Sequence, residues 1–164
     1  MHNLWQMDIP SEDHFTGKPR IRVCGLATSG ESILLLNHGG LYGRDFWSPP
    51  GGGAIFGEKS TETLVREFKE ECGLVVEPKR YLFTCAVIRG KIHALELFFA
   101  VEVISGQLIT GVDPELGDRQ ILTAAAYLPF RTIEKMKAEN LHPIFSKLNH
   151  PSDILRTDGF HECT

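Results

Sequence analysis

Between Pro49 and Leu74 the chain carries a segment with little freedom in how it can fold. A run of two prolines and three glycines, Pro49-Pro50-Gly51-Gly52-Gly53, breaks regular structure. Soon after comes Ser60–Cys72, free of Gly and Pro, with Ser60 placed to cap its first turn and Gly73 where a left-handed terminating residue belongs. The spacing predicts a helix over 60–72 entered from a tight glycine loop. At about 100° per residue, Leu64, Phe68, Cys72 and Val65 fall within one arc of about 100°, the stripe that packs on a core. Glu67, Glu70 and Glu71 form a second, acidic arc beside it. Like charges at these spacings destabilise a helix by about 0.2–0.5 kcal/mol per pair, so the arc needs a counter-charge.

Two sources of counter-charge are open on the residues alone. Arg66 and Lys69 could relieve a solvated acidic face. Alternatively, a hard divalent cation, which prefers oxygen donors, could sit among the carboxylates. The glycine loop favours the second, because glycine lets a backbone carbonyl and a phosphate come close.

Read as one pattern, the segment is Gly52, five residues, Glu58, seven residues, Arg66-Glu67-Phe68, Lys69, Glu70-Glu71, Cys72, Gly73-Leu74. This resembles the Nudix hydrolase family, whose pattern G-x5-E-x7-R-E-U-x-E-E-x-G-U (U a bulky apolar residue) is matched at each fixed position. Chance agreement of seven letters of average usage is on the order of 10⁻⁸ per register. The resemblance implies an α/β (α+β) fold, an α/β/α sandwich with a mixed sheet, and one such domain over residues 1–164. About 1–18 is expected as an N-terminal segment and about 150–164 as a loosely held tail. It also implies hydrolysis of a diphosphate bond in a nucleoside-diphosphate derivative by an activated water, with Mg²⁺ or Mn²⁺ as cofactor.

Carried over residue by residue, the resemblance makes Glu67, Glu70 and Glu71 metal-ligand carboxylates and lends the Gly51 carbonyl to the same ion. Arg66 orients a glutamate, Glu58 is an accessory carboxylate facing the metal, and Gly52 and Gly53 permit the turn beside the substrate. A further glutamate in the loop before the last sheet strand serves many relatives as ligand or base. Glu115 is the first choice for it, Asp118 the second and Glu96 the third. In the Gly- and aromatic-rich stretch Asn37–Trp47, Arg44 could reach a phosphate and Tyr42 or Phe46 could stack a base, against a plain hairpin connection whose aromatics pack locally. Ser48 and Cys72 are the rival nucleophiles, and both read as structural, Cys72 because it sits at the negative end of a helix.

Strand-like runs are expected at 20–28, 32–37, 80–88, 93–103 and 120–128, with glycine joints making hairpins of the first and second pairs. In the 93–103 run, Leu95, Leu97, Phe99, Val101 and Val103 form the core face, and Ala94, Glu96 and Phe98 lie on a mixed one. Further helices are expected at about 132–138 and 141–149.

With 17 basic and 21 acidic residues the net charge is −4. That balance disfavours DNA or RNA polymers, which select a basic surface, and leaves a small nucleotide derivative as the partner. Apolar runs are far shorter than the ~20 residues of a membrane span. Four cysteines without C-x-x-C spacing and a polar opening segment point to a cytoplasmic protein. A homodimer is an open option. Signatures of NADH or coenzyme A members are absent, as is the downstream proline of many ADP-ribose enzymes. The candidates are thus ADP-ribose-like sugar nucleotides or (d)NTPs, with a catalytically silent nucleotide-binding or sensor module as the alternative.

Overall fold

The computed structural model describes residues 17–39, 43–90, 92–114 and 120–163. Helix α1, Ser60–Cys72, forms where its pattern requires. Its first turn is closed by Glu62 Oε2 accepting from the Lys59 backbone N–H at 2.9 Å, so Lys59 rather than Ser60 holds the cap position. Gly73 adopts φ 70° and donates to Lys69 O, ending the helix. The remaining terminal carbonyls are satisfied from the segment 109–112. Ile109, Gly111 and Val112 N–H donate to the carbonyls of Cys72, Glu71 and Glu70.

Two sheets form the middle of a mixed α+β fold. The five-stranded sheet runs β5 (Gly51–Gly53), β1 (Arg20–Leu26), β7 (Ile92–Gly106), β6 (Leu74–Arg89), β9 (Gly159–Cys163). It is mixed, with β1 parallel to β7 and β6 parallel to β9. In the second sheet β3 (Ser32–Asn37) pairs antiparallel with β2 (Thr28–Ser29), β4 (Trp47–Ser48) and β8 (Ala124–Pro129). The β6–β7 hairpin is the one expected from Arg89-Gly90. The earlier hairpin is reduced to Thr28–Ser29 on β3. The body of β1 instead lies between β5 and β7, because its run Val23–Leu26 is apolar on both faces and suits a central strand.

Two apolar clusters lie on opposite sides of these sheets. Under α1, Leu64, Phe68 and Cys72 meet Val23, Ala27, Leu34, Leu36, Leu74 and Val76. On the other side Cys24, Leu26, Ile33, Leu35, Phe83 and Phe98 meet residues of short helical segments, among them Phe130, Ile133, Ile144, Phe145 and Ile154. These segments are shorter than expected: α2 spans Phe130–Ile133, and 3₁₀ turns occupy Ala138–Asn140, Pro143–Lys147 and Pro151–Leu155.

Both faces of β7 are covered: Phe99 and Val101 of the expected core face pack against the α1 cluster, but the mixed face is the more deeply buried. Ala94, Glu96 and Phe98 are the buried set, with Phe98 stacked on Phe83 at 4.5 Å between ring centroids. Leu95, Leu97 and Phe99 are only partly covered.

Residues from His150 do not form a loose tail. Ile154 is buried, β9 completes the sheet beside β6, and Cys163 is disulfide-bonded to Cys85. That bond differs from the reading of the four cysteines as those of a cytoplasmic protein, where thiols stay reduced. Spacing could not pair them, because the two sulfurs meet only through the β6–β9 register. Among the described residues no helix is long and apolar enough to cross a membrane.

Phe68 is fully buried between α1 and β1, so Phe68→Ala should lower unfolding free energy by about 3–5 kcal/mol in urea titrations. The exposed Ile104→Ala should change it by less than about 0.5 kcal/mol.

Candidate active site

The acidic arc of α1 faces the glycine loop, and the guanidinium of Arg66 lies between them. Its Nη1 donates to Glu67 Oε1 at 2.7 Å and to Glu70 Oε2 at 3.1 Å. Nε and Nη2 grip both oxygens of Glu58 at 3.0 and 3.1 Å, and Nη2 also donates to the Gly53 carbonyl at 3.1 Å. One planar fork thus ties loop 53–58 to the helix, using the bidentate geometry that suits arginine and carboxylate. Thr63 Oγ1 adds a donor to Glu58 at 2.7 Å. These contacts, Arg66 foremost, hold the Glu58 carboxyl down at about 2 against its slight burial.

Glu67 and Glu71 are almost fully buried, while Glu70 is half-buried. A Cβ at Gly52 would lie 2.3 Å from Glu67 Oε1, so only glycine leaves room for that carboxylate. Gly51 has φ 152°, and a Cβ there would meet Val23 O at 2.2 Å. Its N–H donates to Glu71 Oε2 at 2.9 Å and its carbonyl accepts from Arg22 Nη2 at 2.7 Å. Burial and then the Glu67 charge push the Glu71 carboxyl well above the usual carboxylate range.

The sequence-expected group Gly51, Gly52, Gly53, Glu58, Arg66, Glu67, Glu70 and Glu71 is therefore brought together. Its donors suit a hard cation in type, being carboxylate and carbonyl oxygens only. Among the described residues, however, no three acidic, histidine or cysteine side chains are gathered closely enough to hold an ion. Arg66 already binds two of the candidate carboxylates.

A cleft opens beside Gly51, Gly52 and Glu71. Its walls include Arg20, Arg22 and Arg89, with Phe46, Phe98 and Ile92 as apolar surface. Arg89 lies over the Phe46 ring, 5.4 Å from its centroid, an arrangement that orients both groups. Residues 37–47 behave as a hairpin connection where described. Asn37 bridges to Asp45 and to the Phe46 N–H, and His38 N–H donates to Phe46 O.

Arg44 does not line the cleft; its Nε donates to Glu139 O at 3.4 Å. Tyr42, Glu115 and Asp118 lie outside the described residues, although Asp113, just before Glu115, lines the cleft. Ser48 lies in the wall with Oγ 3.4 Å from His38 Nδ1. Burial, with the Arg22 charge next, lowers His38 to about 4. Cys72 donates to Phe68 O, and its thiol is pushed up to about 12, chiefly by burial, which leaves no thiolate for attack.

Sequence reasoning did not find Arg20, Arg22, Arg89 or His142, and placed Glu96 only third among auxiliary carboxylates. The alternation Arg20-x-Arg22 on β1 hints at one charged face. Nothing local ties it to Gly51.

The Glu58 contacts have a pH consequence. A carboxyl with an ordinary value of 4.5 that is held at about 2 in the folded state contributes stability above pH 4.5, lost as pH falls toward 2. The thermal midpoint should therefore decline across that window, and Glu58→Gln should show a shallower decline, measured by circular dichroism.

Comparison with known proteins agrees with the motif and the fold. A NUDIX domain family model matches residues 18–146. An ADP-ribose pyrophosphatase of Methanocaldococcus jannaschii is 31% identical over 97 residues, 58% of this chain and 57% of that protein. YjhB of Bacillus subtilis is 30% identical over 144 residues, 83% of this chain and 59% of its own. The chain thus spans less than two thirds of the length of these relatives. A NUDIX hydrolase from Nitrosomonas europaea superposes with TM-score 0.67 at 19% identity, covering 85% of this chain and 89% of that one. An ADP-ribose pyrophosphatase from Streptococcus suis does so with TM-score 0.57 at 18% identity, over 88% of this chain and 99% of that one. With the motif complete, its side chains gathered at one loop and the family model matching most of its length, the chain belongs to the NUDIX domain family.

Proposed function

We propose that the protein is a Mg²⁺-dependent pyrophosphohydrolase that cleaves the diphosphate of an ADP-ribose-like nucleoside-diphosphate derivative with water as nucleophile. The observation that carries the reading is the meeting of two opposite environments at Gly51–Gly52. An oxygen-rich cradle of Glu67, Glu70 and Glu71 lies on one side and a cleft walled by Arg20, Arg22 and Arg89 on the other. Such a junction suits a substrate whose diphosphate needs cations from both sides. The M. jannaschii relative, named an ADP-ribose pyrophosphatase, supports the choice of substrate.

Glu67, Glu70, Glu71 and the Gly51 carbonyl would hold the ion, which when bound neutralises the diphosphate and acidifies water. Arg66 keeps Glu67 and Glu70 beside the glycine loop, and both would turn from the guanidinium towards the ion on binding it. The cleft arginines bind the anionic oxygens as point and fork donors. Ile92 gives the cleft an apolar wall for the part of the substrate beyond the diphosphate, backed by the buried rings of Phe46 and Phe98. Attack by water leaves both products as phosphate monoesters, AMP and ribose 5-phosphate for ADP-ribose. A carboxylate within hydrogen-bond reach of the attacking water takes its proton. The segment containing Glu115 follows directly on Asp113 in the cleft wall, which supports Glu115 for that task.

Incubation with ADP-ribose and Mg²⁺, followed by ion-exchange chromatography, should yield AMP and ribose 5-phosphate, and EDTA should stop their formation. Glu70→Gln should reduce kcat by about a hundredfold or more with an unchanged circular dichroism spectrum. Full activity in that variant would overturn the assignment. Silence of the wild type across ADP-sugars, dinucleoside polyphosphates and NTPs would favour a binding module instead. Gly52→Ala, which intrudes on the Glu67 carboxylate, should cost at least about tenfold in kcat.

A further inference from the structure

A line of polar contacts crosses the cleft wall and ends on the glycine loop. It begins at the 3₁₀ turn Pro143–Lys147, where the Ile144 N–H donates to His142 Nδ1 at 3.2 Å. With Nδ1 accepting, the ring proton stands on Nε2, which donates to Glu96 Oε2 at 2.5 Å. The other oxygen of Glu96 lies 3.5 Å from Arg22 Nε. Arg22 Nη2 in turn donates to the Gly51 carbonyl at 2.7 Å, and the Gly51 N–H donates to Glu71 at 2.9 Å.

Each link is held by the fold. Arg22 and Glu96 are direct partners in the parallel β1–β7 register, so their side chains leave the sheet on the same face. His142 is placed by its own N–H donating to Trp47 O at 2.8 Å, and its ring packs edge-on against Phe98 at 5.6 Å. Glu96 and His142 are each only 5% exposed. A buried carboxylate is costly unless partnered: Oε2 of Glu96 is hydrogen-bonded by His142, and Oε1 pairs by charge with Arg22, whose buried Nε has no hydrogen-bond partner among the described residues. Glu96 is thus placed as a clamp between His142 and Arg22.

We infer that Glu96 and His142 are positioning residues, which hold the Arg22 guanidinium in place and through it fix the orientation of the Gly51 carbonyl in the glycine loop. A glycine peptide has little intrinsic preference for one orientation. Here Gly51 is held on both sides, by Arg22 at the oxygen of the peptide that follows it and by Glu71 at the nitrogen of the peptide that precedes it. Among the described residues, loss of the clamp leaves Arg22 to the Gly51 carbonyl and the more distant charges of Glu71 and Glu67. This inference rests on the reading of Gly51 as part of the catalytic site, and the experiment separates the two.

The test compares wild type, Glu96→Gln, His142→Gln and His142→Leu by ADP-ribose kinetics with Mg²⁺ and by ¹H–¹⁵N NMR of the protein without added metal. Glu96→Gln keeps the shape but removes the charge that holds Arg22. It should lower kcat by about ten- to a hundredfold with KM within about twofold, and shift the Gly51 amide and Arg22 Nε–H signals. His142→Gln, whose amide N–H can still reach Glu96, should stay within about threefold of wild-type kcat; His142→Leu, which packs but cannot donate, should not. The inference is overturned if Glu96→Gln leaves both kcat and the Gly51 signal unchanged, or if the variants lose activity only in proportion to their folded fraction. Should the wild type and Glu70→Gln be equally active, the catalytic reading fails, while the NMR shifts still report whether the clamp orients Gly51.

Discussion

The site is organised around the Arg66 guanidinium. Four of the five glutamates in the fourteen residues from Glu58 to Glu71, namely Glu58, Glu67, Glu70 and Glu71, gather at the glycine loop, and two of them are almost fully buried. Carboxylates gathered in this way repel one another more strongly as water is withdrawn. Arg66 contacts three of the four and the Gly53 carbonyl as well. It therefore does two things at once: it screens the acidic arc, and it fixes the distance between helix and loop. Lysine, a single point donor, could not span loop and helix simultaneously.

The charged face can be kept because α1 is anchored independently of it. Leu64, Phe68 and Cys72 are fully buried against β1 and β3, and the carbonyls at the end of the helix are capped by residues 109–112. Apolar burial on one stripe holds the helix, which leaves the neighbouring arc free to carry repelling charge. The second apolar cluster has a parallel role across the sheets. It seats the short helical segments that bring His142 to the cleft wall.

Where expectation and structure part, the reason is pairing between distant strands. Glu96 lies on the β7 face with fewer apolar residues, yet that face is the more deeply buried one, because Arg22 and His142 partner its carboxylate. The segment after His150 offers weak local signals, and its order comes from β6 and from Cys85. Arg44 sits in a suggestive loop, but its side chain turns to Glu139. Alternation identifies which residues share a face and is silent on what covers that face.

Helix α1, its stripe, its acidic arc and the glycine loop were legible in the sequence because they depend on contacts within about 25 residues, where helical periodicity and motif spacing determine geometry. The same local logic made Glu58, Arg66, Glu67, Glu70 and Glu71 a group. Tertiary structure alone decided the rest of the site. The Arg22–Gly51 contact joins residues 29 apart and the Glu96–His142 contact joins residues 46 apart. Such contacts arise from strand register and loop packing, for which a linear pattern holds no period.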